Sequence, residues 1–314
     1  ESENRPATAA EQADLAKYVG WGGIKNIFPD AQGNFAEDFA ELGAKLRGLL
    51  SEEEYTTARR SIQYAHYTAE DVVRSMWSAV EKMGFKGGQV FEPGMGIGNF
   101  AGMMPQDIAA NTHDHVTARI AKLLYPKYGV RQDDFTKTKL PENSYDLVIG
   151  NPPFADVAIK SDPKYKQGFL LHDYFFAKSL DAVRPGGLLA FVTSAGTMNK
   201  LDPAAREYLA DRADLVGAIR LPGDAFMKNA GTMVTTDIIF LRKRLPGDVP
   251  GDRTWTETKV VSLPGKEGMI EGNVNRYLSE HPEMVIGKPD FNDRLYPGRY
   301  SVKLVSGQDF KADL

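Results

Sequence analysis

The residues best equipped for chemistry are Asn151, Pro152, Pro153 and Phe154, which follow directly on the run Tyr145-Asp146-Leu147-Val148-Ile149-Gly150. That run reads as a buried strand, and the prolines end it in a rigid turn. Each proline fixes φ and removes a backbone donor, so the carbonyls around them are not absorbed into a helix or a ladder and can face a substrate. Asn151 adds a side-chain oxygen acceptor and Phe154 a flat apolar face. A planar exocyclic amine or an amide offers two N–H donors beside a π-system, and this set complements both parts. The predicted chemistry is methyl transfer onto a planar nitrogen. A Pro-rich turn closing a strand accounts for a lone Asn-Pro-Pro equally well, so what stands upstream decides the reading.

Upstream lies Gln89-Val90-Phe91-Glu92-Pro93-Gly94-Met95-Gly96-Ile97-Gly98-Asn99-Phe100, a short apolar strand feeding a glycine-rich bend. Glycines let the backbone turn sharply and let a ligand approach with no Cβ in the way. A glycine pattern of this kind is weak alone, because dinucleotide enzymes and tight turns share it. Glu92 at the loop entrance tells against a pyrophosphate and for a ligand bearing an ammonium or sulfonium. S-adenosylmethionine carries both cations. Two such motifs in this order, each ending an apolar strand, are far more specific than either alone.

On these motifs the sequence resembles the amino DNA methyltransferases, of the N6-adenine or N4-cytosine type. It is most similar to the methylase module of large phage and mobile-element proteins that join an adenine methylase to a helicase-like region. The similarity extends from Ala13-Asp14-Leu15-Ala16-Lys17-Tyr18-Val19-Gly20-Trp21-Gly22-Gly23 to Thr236-Asp237-Ile238-Ile239-Phe240-Leu241. His66-Tyr67-Thr68 resembles the family's N-terminal cofactor motif, with Ala69 where the usual proline would stand. Leu171-His172-Asp173-Tyr174-Phe175-Phe176 and Arg184-Pro185-Gly186-Gly187 match the helix and turn after the catalytic motif.

The resemblance implies a division of labour. Asn151, Pro152, Pro153 and Phe154 would be catalytic. Tyr67, Thr68, Glu92, Pro93, Gly94, Gly96, Gly98 and Asn99 would hold S-adenosylmethionine, with S-adenosylhomocysteine as product. Asp134 and Phe135 would hold the cofactor's adenine. The acid expected at the end of the second strand, for the ribose hydroxyls, is replaced by Thr112, and Asp114 is the nearest carboxylate that could substitute. His113 and His115 flank Asp114, but without carboxylate or cysteine support they are weak evidence for a metal, and none is expected. His172 and Asp173 read either as lining the mouth or as a helix N-cap and its neighbour.

Composition sets independent bounds. At 314 residues and 42% hydrophobic content the chain is sized for about two domains of an ordinary globular protein. Zero cysteines exclude disulfides, thiolate metal sites and a thiol nucleophile, and with it the covalent route to cytosine C5 methylation. There is no apolar run of about 18 residues and no apolar signal core, so a cytoplasmic location without membrane contact is expected. The absent initiator Met points to a fragment or a processed chain. The net charge of −4 does not advertise nucleic acid. Charge can still be local: Lys160, Lys164 and Lys166 follow the catalytic motif, and Arg242-Lys243-Arg244 closes the last clear strand. Either group could face phosphate, although a solvated surface is the plainer reading for the second.

The elements that must position these residues alternate. Helical pattern from about Pro6 to Gln63 is broken at Gly20–Gly23, where Trp21 reads as an aromatic pinned to the core, and restarts at a capping box, Ser51 to Glu54. Thr68 is predicted to cap a helix through Met83. Strands are expected near Gln89–Phe91, Ile108–Thr112, Val130–Gln132, Tyr145–Gly150, Leu188–Thr193, Leu215–Arg220 and Val234–Arg242. Helices are expected between them, among them Val116–Tyr125, Asp173–Val183 and one opened by Asp202-Pro203. The fold class is α/β, a Rossmann-like class I methyltransferase with a mostly parallel seven-stranded sheet covered on both faces. Residues 1–65 would form a helical N-terminal extension, 66–244 the catalytic domain, and 245–314 a loop-rich C-terminal extension where a target-recognition region would begin.

The expected function is methylation of adenine N6 in DNA after base flipping, with low sequence specificity. Methylation of another planar nitrogen (cytosine N4, guanine N2 in RNA, or glutamine in protein) stays open, as does a non-catalytic role binding DNA or cofactor in an antirestriction assembly.

Overall fold

In the computed structural model of the chain, residues 5–62, 68–103, 108–112, 115–223, 234–265, 268–291 and 300–314 are described here. Seven strands form the central sheet: β1 (Val90–Pro93), β2 (Ile108–Thr112), β3 (Gly129–Gln132), β4 (Tyr145–Gly150), β5 (Val183–Ser194), β6 (Ala213–Leu221) and β7 (Thr236–Lys243). Their order is β3-β2-β1-β4-β5-β7-β6. All neighbours run parallel except β7, which is antiparallel to both β5 and β6. The order reverses between β1 and β2 on one side and β4 on the other. A crevice at the carboxyl ends of the strands is the usual ligand position in such a sheet.

Near-continuous apolar strands mean that both faces are covered. Leu147 and Ile149 point into one apolar layer, shared with helix α4 (Glu70–Lys82), and Val148 between them points into the other, shared with α6 (Leu171–Ala182). Helix α4 shows why it forms where it does. Thr68 does not cap it; the capping position is Ala69, with no side-chain hydrogen bond. A lost cap costs about 1 kcal/mol, whereas Val72, Val73, Met76 and Val80 are each 0% exposed. Burying each such side chain contributes roughly 1.5–3 kcal/mol, so packing sets the start of this helix.

The extensions are built onto this core. After α1 (Ala9–Leu15), helices α2 (Ala40–Leu49) and α3 (Glu52–Ser61) gather, with a 3-10 turn at Gly22–Ile27, around Trp21, Ile27, Phe28 and Tyr55. The capping box at Ser51 and Glu54 is present. Trp21 lies edge-on to Tyr18 and Phe28, as expected of a packing aromatic. Leu15 and Tyr18 dock on Ile97 and on Ile120 of α5 (His115–Leu124), and Arg119 pairs with Glu54. On the C-terminal side, punctuation by Gly and Pro reads as loop. The structure instead has an antiparallel ribbon of β8 (Thr258–Gly265) and β9 (Gly268–Asn275), and a short pair of β10 (Lys288–Asp290) and β11 (Ser301–Lys303). Trp255, Val274 and Leu278 enter one apolar layer of the core and Ile286 the other. No helix among the described residues is long and apolar enough to cross a membrane.

Candidate functional site

The glycine loop and the proline turn leave adjacent parallel strands, β1 and β4, at the same end of the sheet. The loop is a succession of left-handed residues, with Gly94, Gly96 and Gly98 at φ of +67°, +58° and +88°. Such angles favour glycine over any residue bearing a Cβ. At Gly98 space demands it too. A Cβ on Gly98 would lie 2.5 Å from the Tyr125 ring, while one on Gly94 would touch Pro153 Cδ at 3.5 Å and Phe175 at 3.8 Å. The Asn-Pro-Pro-Phe turn thus lies beside the glycine loop, with the Gly94 backbone toward the Pro153 ring. A Cβ on Gly150, at the end of β4, would lie 3.5 Å from both Glu92 Cγ and the Pro93 carbonyl oxygen.

Around this contact, Asn151, Pro153 and Phe154 are half-buried and Pro152 is buried. Phe154 leans on the apolar layer of α4. Asn99 Nδ2 donates to the Thr68 carbonyl at 3.2 Å, joining the loop to the segment before α4. Tyr125 Oη donates to the Gly98 carbonyl at 2.9 Å and closes the loop from behind.

Three expectations change. Glu92 does not stand as an anion at the loop mouth: it is buried, accepts from the Ala101 amide at 3.1 Å, and burial pushes its carboxyl up to about 8. It braces the far end of the loop in its protonated form at neutral pH. Phe135 is not presented to a ligand as an open face, since it is buried and stacks on Phe175 at 4.2 Å between centroids. Asp173 is the third residue of α6 rather than its cap; Leu170 holds that position, and Asp173 is buried in an ion pair with Lys200. His172 is buried beside it, Nε2 3.7 Å from Asp173 Oδ1, and burial lowers its imidazole below the ordinary range.

Asp134 keeps its place after β3. One carboxylate oxygen accepts from the amide and hydroxyl of Thr136 at 2.9 and 2.8 Å, and the side chain is partly exposed. Tyr67, Asp114, His66 and His113 lie outside the described residues, as do the side chains of Thr112 and His115.

The cationic expectations divide. Lys160 and Lys166 are exposed in the segment that follows the Asn-Pro-Pro-Phe turn. Lys164 is not available to phosphate: it bridges Glu142 and Asp181 at 2.6 and 2.7 Å. Arg242, Lys243 and Arg244 form no rim around the mouth. Because β7 is antiparallel, Arg242 pairs with Leu188 at the start of β5, while the mouth end of β5, Ser194, pairs with Thr236. There Lys243 donates to the carbonyls of Leu180, Asp181 and Val183, Arg242 to that of Met83, and Arg244 to those of Ala210 and Ala213.

Residues missed in the sequence also shape the site. Phe175 touches the Gly94 position and stacks on Phe135, and Tyr125 backs Gly98. Phe175 stands in a run of aromatics that reads as helix core; only its approach to Gly94 sets it apart.

For S-adenosylmethionine the residues present fit: a left-handed loop with no Cβ toward the crevice, a half-exposed carboxylate after β3, and apolar rings at the junction. Comparison with known proteins agrees. Residues 104–225 match the family described as Eco57I restriction-modification methylase. The chain is 30% identical over 189 residues to the Defense against restriction protein B of Escherichia phage P1, covering 57% of this chain and 8% of that protein. The chain therefore spans a small part of that relative's length. Among solved structures, a putative class I S-adenosylmethionine-dependent methyltransferase from Listeria monocytogenes superposes with a TM-score of 0.51 at 17% identity, over 70% of this chain and 72% of that one. A type I restriction-modification methyltransferase subunit from Streptococcus thermophilus does so with 0.50 at 17% identity, over 78% and 56%. At these identities the structural likeness speaks for the fold. Taken with the family match, it bears out the resemblance read from the motifs: residues 104–225 are similar to restriction-modification methylases, and the chain has the class I S-adenosylmethionine-dependent methyltransferase fold.

Proposed function

We propose that this chain transfers a methyl group from S-adenosylmethionine to the exocyclic N6 amine of adenine in DNA. The observation that supports this most is the closeness of Gly94 to Pro153, such that a Cβ on the glycine would touch the pyrrolidine ring, because it joins a cofactor loop and an amine-accepting turn in one crevice. The family match over 104–225 and the phage relative favour DNA over RNA or protein.

Adenine N6 attacks poorly because its lone pair is delocalised into the ring. The Asn151 side-chain oxygen and the Pro152 carbonyl are the acceptors for its two N–H groups. Hydrogen bonds there favour a pyramidal nitrogen and stabilise the positive charge that develops on it. The bound cofactor supplies an electrophilic sulfonium methyl. Pro153, packed on Gly94, holds the turn at the loop so that the amine approaches with little loss of orientational freedom. A stacked base cannot enter such a crevice, so duplex DNA is flipped at the target, and the half-buried Phe154 ring offers the stacking face. Glu92 serves the loop's shape. Lys160 and Lys166 contribute weakly to phosphate attraction. The share of the phage relative that this chain covers makes further regions of a longer polypeptide, including a helicase-like one, the natural partners.

The test is incubation of the chain and labelled S-adenosylmethionine with unmethylated DNA, RNA and protein pools, followed by mass spectrometry of nucleosides and peptides. N6-methyladenine in DNA is expected. N4-methylcytosine, methylguanine in RNA or methylglutamine would each redirect the substrate, and no transfer to any pool would end the reading.

A further inference from the structure

One buried cation is used by none of this chemistry. Lys178 lies on α6 with its side chain 8% exposed. Its ammonium donates to the Phe135 carbonyl at 2.8 Å, the Tyr174 hydroxyl at 2.9 Å and Asp162 Oδ2 at 3.1 Å, with the Thr136 carbonyl at 3.5 Å. An ammonium has three donors, so this group is fully committed. The recipients belong to two separate parts of the site. Phe135 and Thr136 form the turn that orients Asp134, since Thr136 donates twice to that carboxylate. Asp162 lies in the segment that follows Phe154 and folds back on itself: Ile159 donates to the Phe169 carbonyl and Leu171 to that of Val157. Tyr174 reinforces the second link by donating to Asp162 at 2.7 Å. Burial pulls the ammonium below the ordinary lysine range while Asp162 pulls it back.

A buried ion pair of this kind is a poor source of net stability, because desolvation consumes most of its attraction. Removing one partner is nevertheless severe, because the other is left buried and uncompensated. Such a pair is therefore suited to fixing the relative position of two segments. Resting on the cofactor reading above, we propose that Lys178 is a positioning residue that couples the turn at 134–136 to the segment behind the catalytic turn, so that a cofactor held at one orders the other for the target base.

The test uses the intact chain and S-adenosylhomocysteine as the probe, with binding measured by calorimetry and backbone order by hydrogen exchange. Asp162→Asn is the decisive variant, because Asp162 touches neither the glycine loop nor Asp134. It is expected to weaken S-adenosylhomocysteine binding several-fold, and Lys178→Met about tenfold, the loss of a charge-assisted bond from the turn. The double variant should bind about as weakly as Lys178→Met alone. Gln167→Ala, exposed in the same segment, should bind like the wild type. In the wild type the ligand should also protect amides of residues 157–171 from exchange, and in Lys178→Met it should not. A merely structural lysine would lower the melting temperature without removing that ligand-dependent protection. The proposal is overturned if Asp162→Asn binds as tightly as the wild type, if the two effects add independently, or if protection survives in Lys178→Met. Should Lys178→Met not fold, Asp162→Asn carries the test alone, since it keeps the lysine and its carbonyl bonds. A wild type that binds no S-adenosylhomocysteine would instead remove the cofactor reading on which the coupling stands.

Discussion

The two ends of the central sheet are furnished in opposite ways. At the carboxyl ends of β1 and β4 the chain presents glycines, prolines and two asparagines, and Glu92 there is buried and carries a raised pKa. At the other end, long cations reach over the backbone: Lys243 takes three carbonyls, Arg242 one and Arg244 two, while Arg184 pairs with Asp146 at 2.5 Å. Short side chains leave room for a ligand's own polar groups to meet backbone. Long donors use that backbone up. Lys and Arg are thus structural at the amino ends, and at the carboxyl ends they divide between structural ones, Lys178, Lys200 and Arg220, and exposed ones, Lys160 and Lys166; place in the sequence alone does not tell which.

The contrast can be broken most sharply at Asn151. Asn151→Ala should lower methyl transfer by about 100-fold or more while leaving the melting temperature nearly unchanged, as expected when an acceptor acts mainly in the transition state; a labelled-methyl assay on the folded variant decides it. Gly98→Ala should act on stability and binding together. Its Cβ would meet the Tyr125 ring at 2.5 Å from a φ of +88°, and a cost of about 1–3 kcal/mol is expected from such backbone strain. Denaturant unfolding and S-adenosylhomocysteine calorimetry should both register it.

At the opposite end, Lys243→Met should cost about 1.5–3 kcal/mol of stability, because three partly buried carbonyls lose a charged donor, yet KM for DNA should stay where it was. A rise in KM without a loss of stability would return Lys243 to the phosphate rim. Glu92 sharpens the comparison through pH. Its folded pKa of about 8 lies above the ordinary 4.5, so between those values the folded state holds a proton that the unfolded state has lost. The group therefore costs stability progressively as pH rises through that window and nothing below it. Glu92→Gln should grow more stable relative to the wild type from about pH 4.5 to 8 and hold its advantage above; thermal unfolding across that range measures it. The smallest effect belongs to Lys160→Ala and Lys166→Ala. Each should raise KM for DNA by about twofold at low salt, with the difference fading as ionic strength rises.

Much of this organisation was legible before any coordinates. Strands such as Tyr145–Gly150 are apolar along their length and bounded by Gly and Pro, so both their position and their burial on two faces could be read directly. The pairing of a glycine bend with Asn-Pro-Pro-Phe, each ending such a strand, indicated one crevice. Other readings failed for a common reason. Thr68 has the right chemistry for a cap, yet α4 begins after Ala69, because its apolar stripe outweighs a cap in free energy. Glu92 has the right charge for a cation, yet its side chain turns inward to Ala101. Lys164 and Arg242 to Arg244 have the right charge for phosphate, yet each finds partners distant in sequence. The ribbon at 258–275 escaped notice because its Gly and Pro residues look like loop until the two strands are paired.

Residue types and their local spacing were enough to determine the alternation of strands and helices, the left-handed glycine bend and the rigid acceptor turn, since all three arise from φ/ψ restrictions and short-range periodicity. Tertiary structure alone decided which charges face a ligand. Whether a carboxylate or an ammonium meets solvent, a carbonyl or an opposite charge depends on neighbours contributed by distant strands. Lys178 and Lys243 acquired their roles only when α6 and the antiparallel β7 brought those neighbours within hydrogen-bond reach, and Glu92 when the glycine loop folded back to set the Ala101 amide against it.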